Sequence, residues 1–339
     1  MEHVITWFYS ENSSEYGIYP QVHGESSSQN FQIVYKKCIL TFFTSAVHAN
    51  QGSKFLLYTN KIESEIFKTK IERRILRKIK ALGVEIRTIS YTFKPPEKQR
   101  LWRNQFFILD ILSDLSSKLE NDDLVAILDS DVVWSGSPNT TNFWNELKII
   151  GALNMQPIAS RDENINGYSQ NQLHLLANIL NLECSGSVEY CGGEFITFNY
   201  NYLNQCVEMS KVLFPKYIKE LALSNINFIE EAHFLSLIFD TWNVPTGVGN
   251  KYIRRIWTND WKYTNREEHD ETLVMWHLPA EKKYGLKRLA NVLLLSPKIF
   301  WPKYRSFPWR ILLYSVGLRK NILKTLLDLS TKLLSKWKC

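Results

Sequence analysis

Residues Leu124 to Trp134 read LVAILDSDVVW, and this stretch decides the fold class. The five apolar residues 124–128 are typical of a strand buried on both faces of a sheet. Asp129 and Asp131 follow where that strand ends, and residues i and i+2 of an extended chain point to the same side. Two adjacent carboxylates repel each other unless a cation lies between them. The stretch therefore predicts a buried strand that ends in a divalent-metal site.

The Asp-Ser-Asp tripeptide has a second interpretation, a polar turn that merely ends the strand. Against this, three more apolar residues follow at 132–134, and a solvent-exposed loop has no need of them. Ions such as Mg²⁺ prefer one or two carboxylates together with phosphate oxygens, so a metal here would also suit a diphosphate. The local pattern alone leaves the two interpretations equal.

The chain before this stretch alternates strands with helices. Strands are predicted at 3–9, 55–59 and 84–89, and helices at 31–48, 71–82 and 97–119. Such alternation predicts an α/β fold with a mostly parallel, Rossmann-like sheet flanked by helices. In sheets of this kind ligands bind at the carboxyl ends of the strands, which is where Asp129 and Asp131 lie.

Length and composition are those of a soluble globular protein. The 339 residues are 45% hydrophobic and 22% charged, enough for one large domain with a smaller appendage. The N-terminus lacks a basic segment followed by a long apolar one, so no signal peptide is expected, and no apolar run approaches the ~18 residues of a membrane span. Five cysteines without CxxC spacing favour free thiols in a reducing cytoplasm.

The positive charge is concentrated at the C-terminal end. Residues 281–339 hold 14 Lys and Arg against 2 acids, a net of +12, whereas the other 280 residues hold 27 bases and 32 acids, a net of −5. This distribution argues against a nucleic-acid-binding core and for a basic appendage with an anionic partner.

An amphipathic helix is predicted within this basic segment. Apolar residues recur at helical spacing, with lysines around them: Leu318, Ile322, Leu326, Leu329, Leu333 and Trp337, and Lys320, Lys324, Lys332, Lys336 and Lys338. Leu and Trp on one face with bases elsewhere is typical of a helix that lies in a membrane interface. A helix packed on the domain, or a dimer seam, would show a similar pattern.

Three further stretches carry candidate site residues. The glycines at 192 and 193 precede a predicted strand, where they would admit a ligand close to the backbone or form a simple turn. The acids at 230 and 231 open a predicted helix after Asn227, where they would suit the helix dipole or face an acceptor. A histidine at 277 follows an apolar strand, with lysines at 282 and 283 close behind. It would complete a carboxylate metal site or be a satisfied structural histidine.

Together these stretches resemble glycosyltransferases of the GT-A fold, above all bacterial enzymes that build lipopolysaccharide, lipooligosaccharide or capsule. Residues 128–131, LDSD, are similar to the D-x-D signature, and residues 191–193, CGG, to the G-G segment that follows it. The sequence EEAH at 230–233 is similar to the acidic pair that opens a helix in such enzymes. His277 with Lys282 and Lys283 resembles the family-eight galactosyltransferase motif H-x-x-G-x-x-K-P-W, although Pro279-Ala280 replaces its glycine and no Pro-Trp follows.

The resemblance implies a GT-A catalytic domain over residues 1–285, with a nucleotide-sugar half at about 1–135 and an acceptor half at about 136–285, followed by a helical tail at 286–339. It implies a nucleotide-sugar donor, most readily a UDP-sugar, and a glycan or lipid-linked acceptor at the inner face of the cytoplasmic membrane. Mn²⁺ or Mg²⁺ would bind to Asp129, Asp131 and His277.

The same resemblance assigns roles to further residues. The nucleotide would contact Asp129, Gly192, Gly193 and Lys282, and also the segment Arg103-Asn104-Gln105 unless that segment lies on a solvated helix face. Glu230 or Glu231 would be the catalytic base of an inverting enzyme, whereas a retaining enzyme needs no base on that face.

Two other functions stay open at this point. A sugar nucleotidyltransferase would carry a Gly-rich loop with Arg or Lys after the first strand, and residues 10–28 contain neither base. A non-catalytic, membrane-associated glycan-binding protein would use the carboxylates to bind Ca²⁺.

Overall fold

The computed structural model of the chain describes all residues except 13–14, 16, 18, 20–21, 23–24, 97–102, 157–161, 185–187, 224–229, 243, 297–299 and 337–339. The strands are β1 (Glu2–Phe8), β2 (Lys54–Thr59), β3 (Glu85–Thr88), β4 (Leu124–Leu128), β5 (Val132–Trp134), β6 (Ala152–Asn154), β7 (Phe195–Asn199), β8 (Ile253–Arg255), β9 (Thr258–Asn259), β10 (Tyr263–Thr264) and β11 (Met275–His277). The helices are α1 (Gln29–Ala49), α2 (Glu63–Ile66), α3 (Lys70–Ala81), α4 (Phe107–Ser116), α5 (Thr140–Ile150), α6 (Gln170–Ile179), α7 (Tyr200–Leu223), α8 (Glu231–Thr241), α9 (Gly285–Leu295), α10 (Phe307–Ser315) and α11 (Ile322–Lys336).

The main sheet has six strands in the order β3-β2-β1-β4-β7-β6. Strands β3, β2, β1 and β4 are parallel, and β7 runs antiparallel to both of its neighbours. The predicted α/β class and the mostly parallel sheet flanked by helices are therefore confirmed, with one reversed strand between β4 and β6.

Strand β4 lies inside this sheet and is buried along its whole length. Its side chains alternate between the two faces, as the pleat of a strand requires. Val125 and Ile127 belong to the apolar cluster under α4, α7 and α8, whereas Ala126 and Leu128 belong to the cluster under α1 and α3. Burial on both faces explains why this strand is an unbroken apolar run.

A second, three-stranded sheet adjoins the end of β4, in the order β5-β11-β8. Strand β11 pairs antiparallel with β5 and parallel with β8. Its last residue, His277, lies opposite Val132 on one side and opposite Arg255 on the other. The register of this small sheet therefore brings residues far apart in sequence to the end of β4.

Two predicted helices differ from the structure at their starts. The helix predicted over 97–119 is a 3₁₀ turn at Arg103–Phe106 followed by α4, and residues 97–102 lie outside the described residues. Asn227, the predicted N-cap of the acidic helix, also lies outside them. Helix α8 begins at Glu231, and its N-cap is Glu230.

The segment after residue 285 packs on the rest of the chain. Leu293 and Leu294 of α9 join the apolar cluster that contains Phe42, and Trp309 of α10 packs near Trp276, with ring centroids 6.1 Å apart. The boundary predicted at 285, like the division into donor and acceptor halves, stays a prediction.

Helix α11 docks through charges instead of its apolar residues. Lys324 Nζ lies 2.8 Å from Glu281 Oε1 and 2.6 Å from Asp328 Oδ2, and Arg288 Nη1 lies 2.6 Å from Asp328 Oδ1. Lys324 was predicted among the surface bases of an amphipathic helix, but it is buried in this ion-pair cluster. Leu318, from the predicted apolar stripe, is buried too.

We expect Lys36→Met to lower the free energy of unfolding by about 3–5 kcal/mol, because it leaves a buried carboxylate without its cation. Lys36 Nζ lies 2.5 Å from Glu72 Oε1 and also donates to the Ile66 carbonyl at 2.6 Å, with both side chains of the ion pair buried. Lys80→Met is the matched control, because Lys80 forms an exposed ion pair with Glu63 and should cost less than about 1 kcal/mol. Equal losses in urea unfolding would contradict this account.

Candidate metal and donor site

The turn between β4 and β5 and the end of β11 position the candidate metal ligands. Asp129 directly follows β4 and Asp131 directly precedes β5, with a turn between them in which Val132 N donates to Asp129 O at 3.0 Å. The extended geometry expected for this tripeptide is therefore wrong, because the chain turns there. The side chains nevertheless converge, since one ligand atom each from Asp129, Asp131 and His277 lies within 4.8 Å of the others.

His277 presents one ring nitrogen to the aspartates and the other to a buried glutamate. Nε2 lies 3.2 Å from Asp131 Oδ2 and 3.8 Å from Asp129 Oδ2. Nδ1 lies 3.0 Å from Glu194 Oε1. Glu194 is in turn bound by Arg255, through Nε at 2.5 Å and Nη2 at 2.6 Å.

The donor set fits a divalent cation. Within the part of the chain that the structure describes, both carboxylate oxygens of Asp131 and Nε2 of His277 are buried and make no well-formed hydrogen bond, although ion pairs of 3.2 Å join Asp131 Oδ2 to His277 Nε2 and Asp131 Oδ1 to Lys282 Nζ. Buried polar atoms of this kind are rare in native proteins and call for an explanation. Two carboxylates and an imidazole are ligands that Mn²⁺ and related ions accept. A cation at this point would satisfy all three atoms.

The pKa values of these groups diverge. Burial and the neighbouring charge of Asp131 raise the pKa of Asp129 to about 6. Burial would also raise the pKa of Asp131, but the charges of Lys282 and His277 outweigh it and lower that pKa to about 2. Burial would lower the pKa of His277, but Asp131 and Glu194 outweigh it and raise that pKa to about 9. Asp131 is therefore the ligand that stays ionised at every physiological pH.

Lys282 belongs to the 3₁₀ turn Pro279–Lys283, which follows directly on β11. Its Nζ lies 3.2 Å from Asp131 Oδ1 and 5.1 Å from the ring centroid of Tyr35 on α1. Burial would lower the pKa of Lys282, but Asp131 and the other groups around it raise it, so the ammonium stays charged. The structure thus places the predicted phosphate-binding lysine beside the predicted metal ligands.

These groups open into a cavity of about 280 Å³. Asp129, His277, Lys282 and Gly193 line it, and so do Glu230 and Glu231. Among the predicted nucleotide contacts, Arg103 and Gly192 do not line it. The Arg103 guanidinium lies 3.4 Å from the Pro96 carbonyl oxygen, and the Gly192 amide donates to the Met155 carbonyl at 2.8 Å. Their contact with a nucleotide stays a prediction.

The acidic pair lies at the first turn of α8, on the cavity wall. Glu230 Oε1 accepts hydrogen bonds from Tyr190 at 2.7 Å and from Asn166 at 2.9 Å. Gln105, with its amide nitrogen toward Glu231, donates to both oxygens of Glu231 at 3.0 and 2.5 Å. Burial raises the pKa of Glu231 well above its ordinary value, and the charges of Glu230 and Asp129 raise it further.

Some residues of the site carry no sequence signal that would have found them. Glu194 could have been suspected because it follows the glycine pair directly. Arg255 reaches the cavity only through strand pairing, whereas Gln105 lines it from the segment 103–105 that the sequence offered as a nucleotide contact. Glu11, which lines the cavity and accepts a hydrogen bond from Asn104 at 2.5 Å, lies in a polar segment that predicts only a loop.

No protein-family model matches the sequence, and no curated protein matches it. Similar solved structures include an active-site mutant of LgtC, at 11% identity and TM-score 0.47, covering 94% of this chain and 97% of that one. Another is mouse xyloside xylosyltransferase 1, at 9% identity and TM-score 0.47, covering 82% and 97%. A third is glycosyltransferase GlyE of Streptococcus pneumoniae, at 13% identity and TM-score 0.43, covering 93% and 63%.

A second structure of LgtC, at TM-score 0.45, is described as the galactosyltransferase in complex with donor and acceptor sugar analogues. These neighbours belong to the enzyme class that the sequence resembles. Because each TM-score is below 0.5, the likeness assigns no activity to this chain.

We expect protonation of His233 to destabilise the start of α8 in acid. Its Nε2 lies 2.9 Å from the Ile165 carbonyl, and its Nδ1 accepts from the Glu230 amide at 3.3 Å, so the ring is neutral. Burial lowers the pKa of His233 from 6.5 to about 4. A depressed pKa in the folded state stabilises the protein above pH 6.5, and this contribution, roughly 3 kcal/mol at most, is lost as pH falls through 4.

The test compares unfolding free energy against pH for the wild type and His233→Gln. The variant should lose less stability than the wild type between pH 6.5 and pH 4, because it has no imidazole to protonate. His269→Gln serves as the control, since that ring is exposed. Parallel pH profiles for wild type and His233→Gln would contradict the assignment.

Proposed function

We propose that this chain is a divalent-metal-dependent glycosyltransferase that moves a sugar from a nucleotide-sugar donor, most readily a UDP-sugar, to a glycan or lipid-linked acceptor. The observation that carries the proposal is the convergence of Asp129, Asp131 and His277 beside Lys282, where Asp129, His277 and Lys282 line one cavity and Asp131 is buried beside them. The resemblance of the sequence to bacterial cell-surface polysaccharide enzymes supports the same class of acceptor.

The charge around the cavity supports a donor that arrives with a metal. Six carboxylates lie in or beside it, those of Glu11, Asp129, Asp131, Glu194, Glu230 and Glu231, against three cationic groups, those of Arg255, His277 and Lys282. The carboxylates would repel the negative diphosphate of a nucleotide sugar. When bound, Mn²⁺ or Mg²⁺ would offset this repulsion and the charge that develops on the leaving nucleoside diphosphate.

The residues of the chain would divide the remaining work. Lys282, already held against Asp131, would pair with a diphosphate oxygen as a point charge. The cavity wall would hold the acceptor hydroxyl near the anomeric carbon. In an inverting reaction Glu231 or Glu230 would take the acceptor proton, and burial raises the pKa of both side chains above the ordinary value of a glutamate. In a retaining reaction neither glutamate needs to act.

We expect Asp131→Asn to lower sugar transfer by about 10²–10³-fold, because it removes a charged ligand of the metal, and the metal would offset the negative charge that develops on the leaving group. The measurement is transfer and hydrolysis of a panel of UDP- and GDP-sugars, with Mn²⁺, with Mg²⁺ and with EDTA. Turnover should require metal and should fall in the variant.

The matched control is Asp122→Asn, an exposed aspartate that lies before β4 instead of after it. The control should transfer sugar at the wild-type rate, and circular dichroism should show that all variants are folded. Wild-type protein that binds and turns over no nucleotide sugar with either metal would overturn the proposal.

We also propose that the C-terminal segment binds an anionic membrane surface, which would bring the site to lipid-linked acceptors. Among the described residues, no helix is long and apolar enough to cross a bilayer. Helix α11 instead turns its ion-paired residues inward and its apolar residues outward. Ile322, Leu323, Leu326 and Leu333 are 75%, 64%, 58% and 60% exposed. Exposed apolar patches of this kind mark interaction sites, and exposed bases at Arg310, Lys320 and Lys332 would suit anionic lipid.

We expect Leu323→Glu combined with Leu326→Glu to weaken binding to phosphatidylserine vesicles about tenfold or more, because it removes apolar area and adds negative charge. Co-sedimentation with vesicles measures the effect. Val212→Glu is the control, since Val212 is a 60% exposed apolar residue on α7. Equal binding of the double variant and the wild type would contradict the membrane assignment.

A further inference from the structure

We propose that Glu194 and Arg255 are positioning residues of the metal site, with Arg255 holding the Glu194 carboxylate and Glu194 holding the His277 ring. This inference rests on the proposed function, because it concerns the metal that function requires. It adds two residues that neither the Asp-Ser-Asp tripeptide nor the histidine–lysine segment contains.

The contact between Glu194 and His277 determines which ring nitrogen is left for a metal. Nδ1 lies 3.0 Å from Glu194 Oε1, so the Nδ1–H donates to the carboxylate. Nε2 then faces the two aspartates, at 3.2 Å from Asp131 Oδ2 and 3.8 Å from Asp129 Oδ2. Histidine ligands in metalloproteins commonly donate their second ring N–H to a carboxylate, which fixes the tautomer and the ring orientation.

Arg255 fixes the position of the glutamate. Its Nε and Nη2 bind one carboxylate oxygen each, at 2.5 and 2.6 Å. A planar guanidinium that binds both oxygens restrains the plane of the carboxylate as well as its position. Because Arg255 pairs with His277 in the register of β8 and β11, the strand pairing places the arginine on the same side of the site.

The glycine pair gives independent support. A Cβ added at Gly192 would lie 2.5 Å from Glu194 Oε2, closer than real Cβ contacts allow. Gly192 therefore leaves the space that the Glu194 carboxylate occupies. The sequence left this glycine open as a ligand contact or a turn residue, and the space that it leaves for Glu194 is a further role beside these.

A neighbouring ion pair serves as an internal comparison. Arg254, the adjacent residue on β8, pairs with Asp270 at 2.7 Å, and Asp270 is as deeply buried as Glu194. Neither Arg254 nor Asp270 lines the cavity. The two pairs share a strand and a degree of burial, although Arg254 binds one oxygen of Asp270 and Arg255 binds both oxygens of Glu194, and only Glu194 contacts a candidate metal ligand.

The experiment is a titration of the full-length protein with Mn²⁺, in which electron paramagnetic resonance counts the free ion. We expect Glu194→Gln to weaken Mn²⁺ binding about 10-fold and Glu194→Ala about 100-fold, the range seen when the partners of metal ligands are removed. Arg255→Lys and Gly192→Ala should each weaken it in the same direction. Pulsed resonance should detect a histidine nitrogen bound to Mn²⁺ in the wild type and a weaker nitrogen coupling in Glu194→Ala.

Arg254→Lys and Asp270→Asn are the matched controls, and both should bind Mn²⁺ as the wild type does. If Glu194→Gln does not fold, the Arg255→Lys titration decides. Wild-type binding of Mn²⁺ with unchanged affinity in the Glu194 and Arg255 variants would overturn this inference and leave the proposed function standing. Wild-type protein that binds no Mn²⁺ would overturn both.

Discussion

The structure depends on the placement of two like charges in one turn, where the Asp131 side chain is fully buried and the Asp129 side chain is 28% exposed at the cavity. Asp129 and Asp131 flank Ser130 between two buried strands, and burial together with their mutual repulsion raises the pKa of Asp129. His277 at the end of β11 and Lys282 in the turn that follows offset this repulsion. The turn would be unfavourable in an isolated hairpin, because buried charges need partners. The second sheet supplies them, so fold and site depend on the same strand pairing.

This arrangement connects the C-terminal segment to the candidate metal site. The 3₁₀ turn that carries Lys282 also carries Glu281, which accepts from Lys324 of α11 at 2.8 Å. Asp328 and Arg288 complete that buried cluster. The basic C-terminal segment is therefore in direct ionic contact with the turn that bears a site residue. Helix α11 exposes apolar side chains because the face that carries Lys324 and Asp328 is buried in the ion-pair cluster.

Local sequence patterns predicted the main sheet and the metal ligands, because both rest on short-range signals. The apolar run before Asp129 indicates a strand buried on both faces. An acid pair at its end indicates a candidate metal site whether the chain stays extended or turns there. Arg255 could not be predicted, since only strand register brings it to the cavity, whereas Gln105 belongs to the segment 103–105 that was predicted as a nucleotide contact. The prediction that Lys324 lies on the surface was wrong. Helical periodicity shows which residues share a face of the helix but not which face is buried, and here the face with Lys324 is buried by its ion pair with Glu281.

The most direct test of the central claim is an anomalous diffraction map, at the manganese edge, of crystals soaked with MnCl₂ and UDP. The account predicts one peak about 2.0–2.3 Å from an Asp131 oxygen and from His277 Nε2, with diphosphate oxygens on the remaining side. UDP bound in the cavity with no peak at Asp129, Asp131 and His277, or a peak held by other residues, would contradict it.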